Sequence, residues 1–271
     1  MSMPRHLFLV RHGKSEGNVA TEKAKRGDFS SYTDEFVTTP GRTWKLTELG
    51  REQAILIGAW LSEELKQISQ TQEKRFYVSP YVRTRQTAGL LGLTEHGRSV
   101  EWYVNRTIRE RDWGDIDCVP RKQFLEDPIY KLNAQKMDLD PLYWRPPGGE
   151  SVQDVADNRV RNFLDTLHRE CSDQTVVAVA HGEFNKANRV VLERITDEEF
   201  MADEVNPLRK IHNCQIIQYS KDAPEGFGEG ASRRLQYVRN IIPHVEEGRV
   251  EVRPWVAIDF HRPTNEDLLN N

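Results

Sequence analysis
Two apolar runs of this chain end in the same dipeptide. His6-Leu-Phe-Leu-Val10 leads through Arg11 to His12-Gly13, and Gln174-Thr-Val-Val-Ala-Val-Ala180 leads to His181-Gly182. Each run reads as a buried strand that turns at glycine. A doubly wound sheet places its ligand site outside the carboxyl ends of its strands, so both imidazoles are candidates for catalysis. Either histidine alone would read as a hydrogen-bonded core residue, but their matched settings make them a pair. A third dipeptide, His96-Gly97, follows a helix pattern and a Thr-Glu turn and reads as a surface turn.

The elements that would carry this pair alternate between strand and helix. Leu46-Thr-Glu-Leu-Gly50 opens a helix with Thr47 as N-cap and apolar positions at Ile55, Leu56, Ala59, Trp60 and Leu65. Arg75–Ser79 reads as a strand, and Pro80 suits the first turn of a helix over Tyr81–Leu93. Ser99–Asn105 alternates like a further strand. Ser151, after Gly-Gly-Glu, starts a long helix through Arg169 with Val152, Val155, Val160, Phe163, Leu164 and Leu167 on its apolar face. A helix follows His181-Gly182, Asn213–Tyr219 reads as a strand, Pro224–Ser232 as a Gly-rich loop, and Arg234–Ile242 as a late strand. The pattern predicts one three-layer α/β/α domain over 1–271 with a mostly parallel central sheet. Two stretches without clear periodicity, about 20–45 and 115–147, are insertions in it, the second with helical pieces over Arg121–Met137.

Composition narrows the function classes. Of 271 residues 30% are charged, the mean hydropathy is -0.70, and the longest apolar runs are too short to cross a bilayer. The chain enters its first strand by Leu7 without a cleavable leader, so the expected location is the cytosol. A net charge of -4 gives no general attraction to nucleic acid or an anionic membrane. Cys118, Cys171 and Cys214 are odd in number and far apart, which argues against a disulfide framework or a zinc site. No nucleic-acid or membrane partner is expected, and the oligomeric state is open.

The chain resembles the histidine phosphatase superfamily, also called the phosphoglycerate mutase-like family. The resemblance rests on Leu9-Val-Arg-His-Gly-Lys-Ser-Glu-Gly-Asn18, Leu46-Thr-Glu-Leu-Gly50 with Gln53-Ala54, and Ser79-Pro-Tyr-Val-Arg-Thr-Arg-Gln-Thr-Ala88. Ile108-Arg-Glu-Arg-Asp-Trp-Gly114, Gly149-Glu-Ser151, Ala180-His-Gly182 and Asn213 follow in the family's order. The resemblance implies that neutral His12 attacks phosphorus and carries the group, taken from a small phosphorylated substrate, as a phosphohistidine. Arg11, Arg83 and a protonated His181 would surround the nonbridging oxygens. Arg85, only two residues on, is the alternative to Arg83. Glu110 would be the general acid, with a carboxyl pKa raised toward neutrality, while Asn18 and Gly182 complete the phosphate contacts. No metal and no cofactor are expected. Glu183 departs from the small or polar residues common after the second His-Gly. It would either turn outward or lower the pocket's preference for highly anionic substrates.

Rival chemistries lack their residues. No cysteine is followed at the sixth position by arginine, and no G-x-x-x-x-G-K-[ST] loop is present. Asp138-Leu-Asp140 does not end an apolar strand, Gly226–Gly230 lacks the spacing of a dinucleotide loop, and Asp112, Asp115 and Asp117 read as a solvated loop. A phosphoglycerate-type mutase and a noncatalytic phospho-ligand module remain as alternatives. Asp115-Ile-Asp117 and the lack of an adjacent arginine pair between Gly114 and Gly148 favour hydrolysis. Substrate choice is expected to reside in the insertions, which carry Phe29, Tyr32, Phe36, Trp44, Lys23, Lys25, Arg26 and Arg42, and then Tyr130, Tyr143, Trp144 and Arg145. They would form a lid over His12 or be pinned to the core by those aromatics.

Overall fold
Leu7 and Leu9 point to one side of the first strand and Phe8 and Val10 to the other, and all four are fully buried. Such a strand needs cover on both faces, and in the computed structural model it has it. The structure describes residues 2–68, 72–128, 131–227, 232–260, 262 and 264–269. Its strands are β1 (His6–Arg11), β2 (Lys74–Val78), β3 (Thr94–Glu95), β4 (Arg98–Ser99), β5 (Tyr103–Val104), β6 (Thr175–Ala180), β7 (Ile216–Ser220), β8 (Tyr237–His244), β9 (Arg249–Val252) and β10 (Val256–Ala257). The main sheet runs β10-β8-β7-β1-β6-β2-β5, with β9 also paired to β8. At its centre β1, β6, β2 and β5 are parallel, and β7, β8, β9 and β10 extend it by antiparallel pairs.

One face is covered by the helices Glu48–Gln67 and Val82–Leu90, which bury Ile57, Leu61 and Ala88 with Phe8, Val10, Val177 and Val179. The other is covered by Arg161–Glu170, continuous with Val152–Asp154 through a π-helical stretch at Val155–Val160, and by Gly182–Leu192. Phe163, Leu167 and Phe184 pack there on Leu7, Leu9, Val176 and Ala178. Full burial of each large apolar side chain contributes about 1.5–3 kcal/mol, so these two layers dominate the stability. Among the described residues no helix is long and apolar enough to cross a membrane.

The register decides where the chemistry sits. Arg11 lies opposite Ala180 and Val78 opposite Val179, so His12, His181 and Ser79 leave adjacent strands at one edge. The chain after β5 leaves at the same edge, with the Asn105 amide on the Val78 carbonyl at 2.9 Å, and turns toward Glu110. His96 and Gly97 form the exposed turn between β3 and β4, as expected.

Several expectations are revised. The stretch read as irregular over 20–45 contains the end of the helix Glu16–Lys25 and the helix Asp34–Thr38. The strand expected over Ser99–Asn105 is broken, because only Tyr103–Val104 joins the main sheet while Arg98–Ser99 turns back on β3. Helices Arg121–Glu126 and Lys131–Leu139 supply the pieces expected there. Tyr130 lies outside the described residues.

Candidate active site
A tight backbone crossing fixes the first reactive segment. A Cβ on Gly13 would lie 2.3 Å from the Gly50 carbonyl oxygen, and one on Gly50 would lie 2.1 Å from that of Lys14. Two glycines in contact therefore let the loop after β1 press against the helix that Thr47 caps, its hydroxyl accepting from the Gly50 amide at 3.1 Å. In that loop His12 Nδ1 lies 2.7 Å from the Gly13 carbonyl oxygen. A carbonyl only accepts, so Nδ1 carries the proton and Nε2 is left with its lone pair. Burial, and then the charges of Arg83 and Arg11, hold the His12 pKa well below the ordinary imidazole value, which keeps the ring neutral and nucleophilic.

Arg83 joins the two histidines. Its Nε donates to His12 Nε2 at 3.1 Å, its Nη2 to His181 Nδ1 at 3.2 Å, and its Nη1 to the Gly41 carbonyl at 2.7 Å. It is 6% exposed and lies over the Tyr81 ring, whereas Arg85 is exposed, so the pocket takes Arg83. Because His181 Nδ1 accepts from a guanidinium, its proton sits on Nε2, which donates to Ser79 Oγ at 2.8 Å. Burial, then Arg83 and His12, hold the His181 pKa well below its ordinary value. Desolvation and the neighbouring Arg83 cation thus favour the neutral His181 ring.

Arg11 Nη1 donates to the Ile211 carbonyl at 2.5 Å, and its buried Nε has no hydrogen-bond partner among the described residues. Gly182 gives it room, since a Cβ there would lie 3.2 Å from Arg11 Nε. Opposite, Glu110 Oε1 accepts from the Arg111 amide at 3.0 Å, and Oε2 lies 3.9 Å from His181 Nδ1. Burial raises the Glu110 pKa against the pull of Arg83, and the nearby Glu183 raises it further. With 18% of its side chain exposed, the carboxyl can exchange protons with water and still face the pocket. Asn18 Oδ1 accepts from the Ser15 amide and hydroxyl and from Asn213 Nδ2, and that Nδ2 also lies 3.1 Å from the His12 carbonyl. Asn18 thus braces the His12 loop and lines the cleft.

His12, Glu110 and His181 have ligand atoms within 4.8 Å of one another, which is metal-tripod spacing. Both imidazole lone pairs that face the pocket meet N–H groups of Arg83, with Arg11 alongside, so the set fits an anion better than a cation. Asp112, Asp115 and Asp117 are exposed and form no such cluster among the described residues.

Above the reactive groups opens a cleft of about 1470 Å³. Phe29, Tyr32, Phe36, Arg42 and Trp44 line one wall, and Trp113, Ile116, Lys122 and Phe124 another. Tyr143 and Arg145 instead engage Asp197 and Asp154 on the outside. Ser79, Tyr81 and the Gly41 carbonyl belong to the site without having been assigned to it. Ser79-Pro80 at a strand end was the available signal for the first two, and none marks a backbone carbonyl.

The model of the histidine phosphatase superfamily (branch 1) matches residues 7–224. The phosphoglycerate mutase-like protein AT74 of Arabidopsis thaliana is 34% identical over 62% of this chain and 48% of its own length, so this chain matches about half of that relative. The 2,3-bisphosphoglycerate-dependent phosphoglycerate mutase of Methylorubrum populi is 29% identical over 75% of this chain and 86% of its own. The solved structure of mycobacterial glucosyl-3-phosphoglycerate phosphatase is 26% identical with a TM-score of 0.55, covering 79% of this chain and 89% of that one. With the matched segment spanning the strand ends that carry His12, Arg83, Glu110 and His181, the chain belongs to the histidine phosphatase superfamily.

Proposed function
We propose that this chain hydrolyses a small phosphomonoester through a phosphohistidine on His12, without a metal ion. The observation that carries this reading is the His12 ring, held neutral with Nδ1 on the Gly13 carbonyl and Nε2 facing Arg83. An entering phosphate takes over the Arg83 donors and the free Nε of Arg11, which frees the Nε2 lone pair to attack phosphorus in line. The P–N bond forms as the P–O ester bond breaks, and Glu110 gives its proton to the leaving oxygen. Water then enters, Glu110 takes a proton from it, and the P–N bond breaks to release inorganic phosphate. Acid and base action of this kind is worth about 10²–10⁴-fold, and each well-placed donor to the developing charge about 10²–10³-fold.

A mutase is the second reading, favoured by relatives such as the Methylorubrum populi enzyme. It requires that water be kept from the phosphohistidine, and the open cleft and the part-exposed Glu110 favour hydrolysis instead. Incubation with p-nitrophenyl phosphate and with 3-phosphoglycerate in excess chelator separates the readings. Release of p-nitrophenol and inorganic phosphate is expected. Isomerisation of 3-phosphoglycerate without phosphate release would establish the mutase, activity lost in chelator would require a metal, and no turnover at all would leave a binding module.

A further inference from the structure
A carboxylate that the proposed reaction does not use stands beside a floor built for an anion. Glu183 is the second residue of the helix Gly182–Leu192, two positions after His181, and lines the cleft with Arg11, Arg111 and Lys186. Its Oε2 accepts from Arg111 Nη1 at 3.1 Å and its Oε1 pairs with Lys186 Nζ at 3.0 Å, while Lys186 also meets Glu204 at 2.7 Å. Arg111 is committed at its other nitrogens as well. Nε donates to the Glu150 carbonyl at 2.6 Å, Nη2 donates to the Trp144 carbonyl at 3.0 Å, and the guanidinium lies 4.5 Å from the centre of the Trp113 ring. Its side chain is 4% exposed, so it cannot swing out to meet a ligand.

The charges of Arg111, Glu183, Lys186 and Glu204 cancel. Arg111 and Lys186, two of the cations lining the cleft, are thus neutralised within the protein and are not available to a second anionic group of a substrate. Burial opposes ionisation of Glu183, but Lys186 and Arg111 outweigh it and bring the carboxyl down to about 2. Its negative charge is therefore permanent at working pH and is felt at Glu110. The wall nearest Arg83 offers something else. Phe36 stacks on Trp44 at 4.8 Å with planes 7° apart, Tyr32 meets Phe36 edge-on, and Gly41 in the same segment accepts from Arg83.

We propose that Glu183, paired with Arg111 and Lys186, is a specificity-determining residue that turns away esters with a second negative charge beside the reacting phosphate. The substrate is then a phosphomonoester of an uncharged alcohol that presents an apolar or aromatic face to Phe36 and Trp44. This inference rests on the phosphatase reading above.

Benzyl phosphate and 3-phosphoglycerate are both primary esters that differ in the aromatic face and in the second charge, so the change in the ratio of their kcat/KM values between charge variants reads the second charge. Wild type is expected to favour benzyl phosphate. Glu183→Gln keeps the shape and removes the charge, and should lower the ratio about tenfold, as expected for one charge in a partly screened site. Lys186→Gln leaves the cluster net negative and should raise it. A ratio within twofold of wild type in Glu183→Gln, or a shift in the same direction in both variants, would overturn the proposal. If Glu183→Gln fails to fold, a Lys186→Gln ratio that does not rise overturns it alone. If wild type turns over neither ester, the phosphatase reading falls, and the ratio of the two binding constants by calorimetry, in wild type and both variants, decides the role of Glu183.

Discussion
At the floor of the cleft the reactive side chains are held by groups next to strand ends, whereas in the wall over residues 29–44 the aromatic side chains hold one another. His12 is fixed by the Gly13 carbonyl one residue on, and His181 by Ser79 at the end of the neighbouring strand. Phe36 is held between Tyr32 and Trp44, with no strand beneath them. The floor cannot change without disturbing the sheet, so it suits the part of the reaction common to any phosphate ester. The wall can change its residues at small cost to the core, so it suits the part that distinguishes one ester from another.

Substitutions at the floor should therefore affect all substrates, and those at the wall only some. The largest effect is expected for His12→Ala, which removes the nucleophile and should lower kcat by about 10⁴-fold or more on every ester. Circular dichroism should show the fold intact, and retained turnover would place the nucleophile elsewhere.

Arg83→Ala comes next. It removes the group that bridges both histidines and should cost about 10²–10³-fold in kcat/KM for every phosphate ester, while weakening inhibition by phosphate and vanadate together. Inhibition constants equal to those of wild type would show that Arg83 does not bind the phosphoryl group.

Glu110→Gln should slow benzyl phosphate by about 10²–10³-fold and p-nitrophenyl phosphate less, since a good leaving group needs little protonation. The pH profile adds a sign. Burial raises the Glu110 pKa, so the acid form persists above the ordinary carboxyl range and activity falls as pH rises through the raised value. Burial and Arg83 lower the His12 pKa, so the acidic limb lies below the ordinary imidazole range. The alkaline limb should vanish in Glu110→Gln while the acidic limb stays. Equal losses on both esters, or an unchanged alkaline limb, would remove Glu110 as the acid.

The smallest effect belongs to the wall. Trp44→Ala should raise KM for benzyl phosphate about fivefold, as expected for one lost aromatic contact of about 1 kcal/mol, and leave glycerol 2-phosphate within twofold. If both KM values change alike, Trp44 supports the floor and does not select the ester.

The same division explains what was legible in the sequence. Leu7–Val10 and Val176–Ala180 are buried on both faces, so their hydrophobicity runs unbroken up to the histidines and marks them. The helix Glu16–Lys25 buries only Gly17 and Ala20, and so gave no apolar stripe to read. β9 and β10 have four and two residues, too few for alternation to show. Thr196 and Glu199 do form a capping box that marks the helix Asp197–Val205. That this helix borders the cleft depends on tertiary packing of Phe200, which no local pattern encodes. The hold of Gly41 on Arg83 was equally hidden, because the contact is a carbonyl that every residue possesses.

The covalent intermediate is the most direct test of how the floor works. Wild type mixed with ³²P-labelled benzyl phosphate and quenched within milliseconds should carry label that is stable in base, lost in acid, and located on the peptide containing His12. Glu110→Gln, which is phosphorylated more slowly by this ester, should carry label with the same stability when quenched at correspondingly longer times, and His12→Ala none. Label that survives acid, label on a cysteine or aspartate peptide, or undiminished label in His12→Ala would contradict a phosphohistidine at His12.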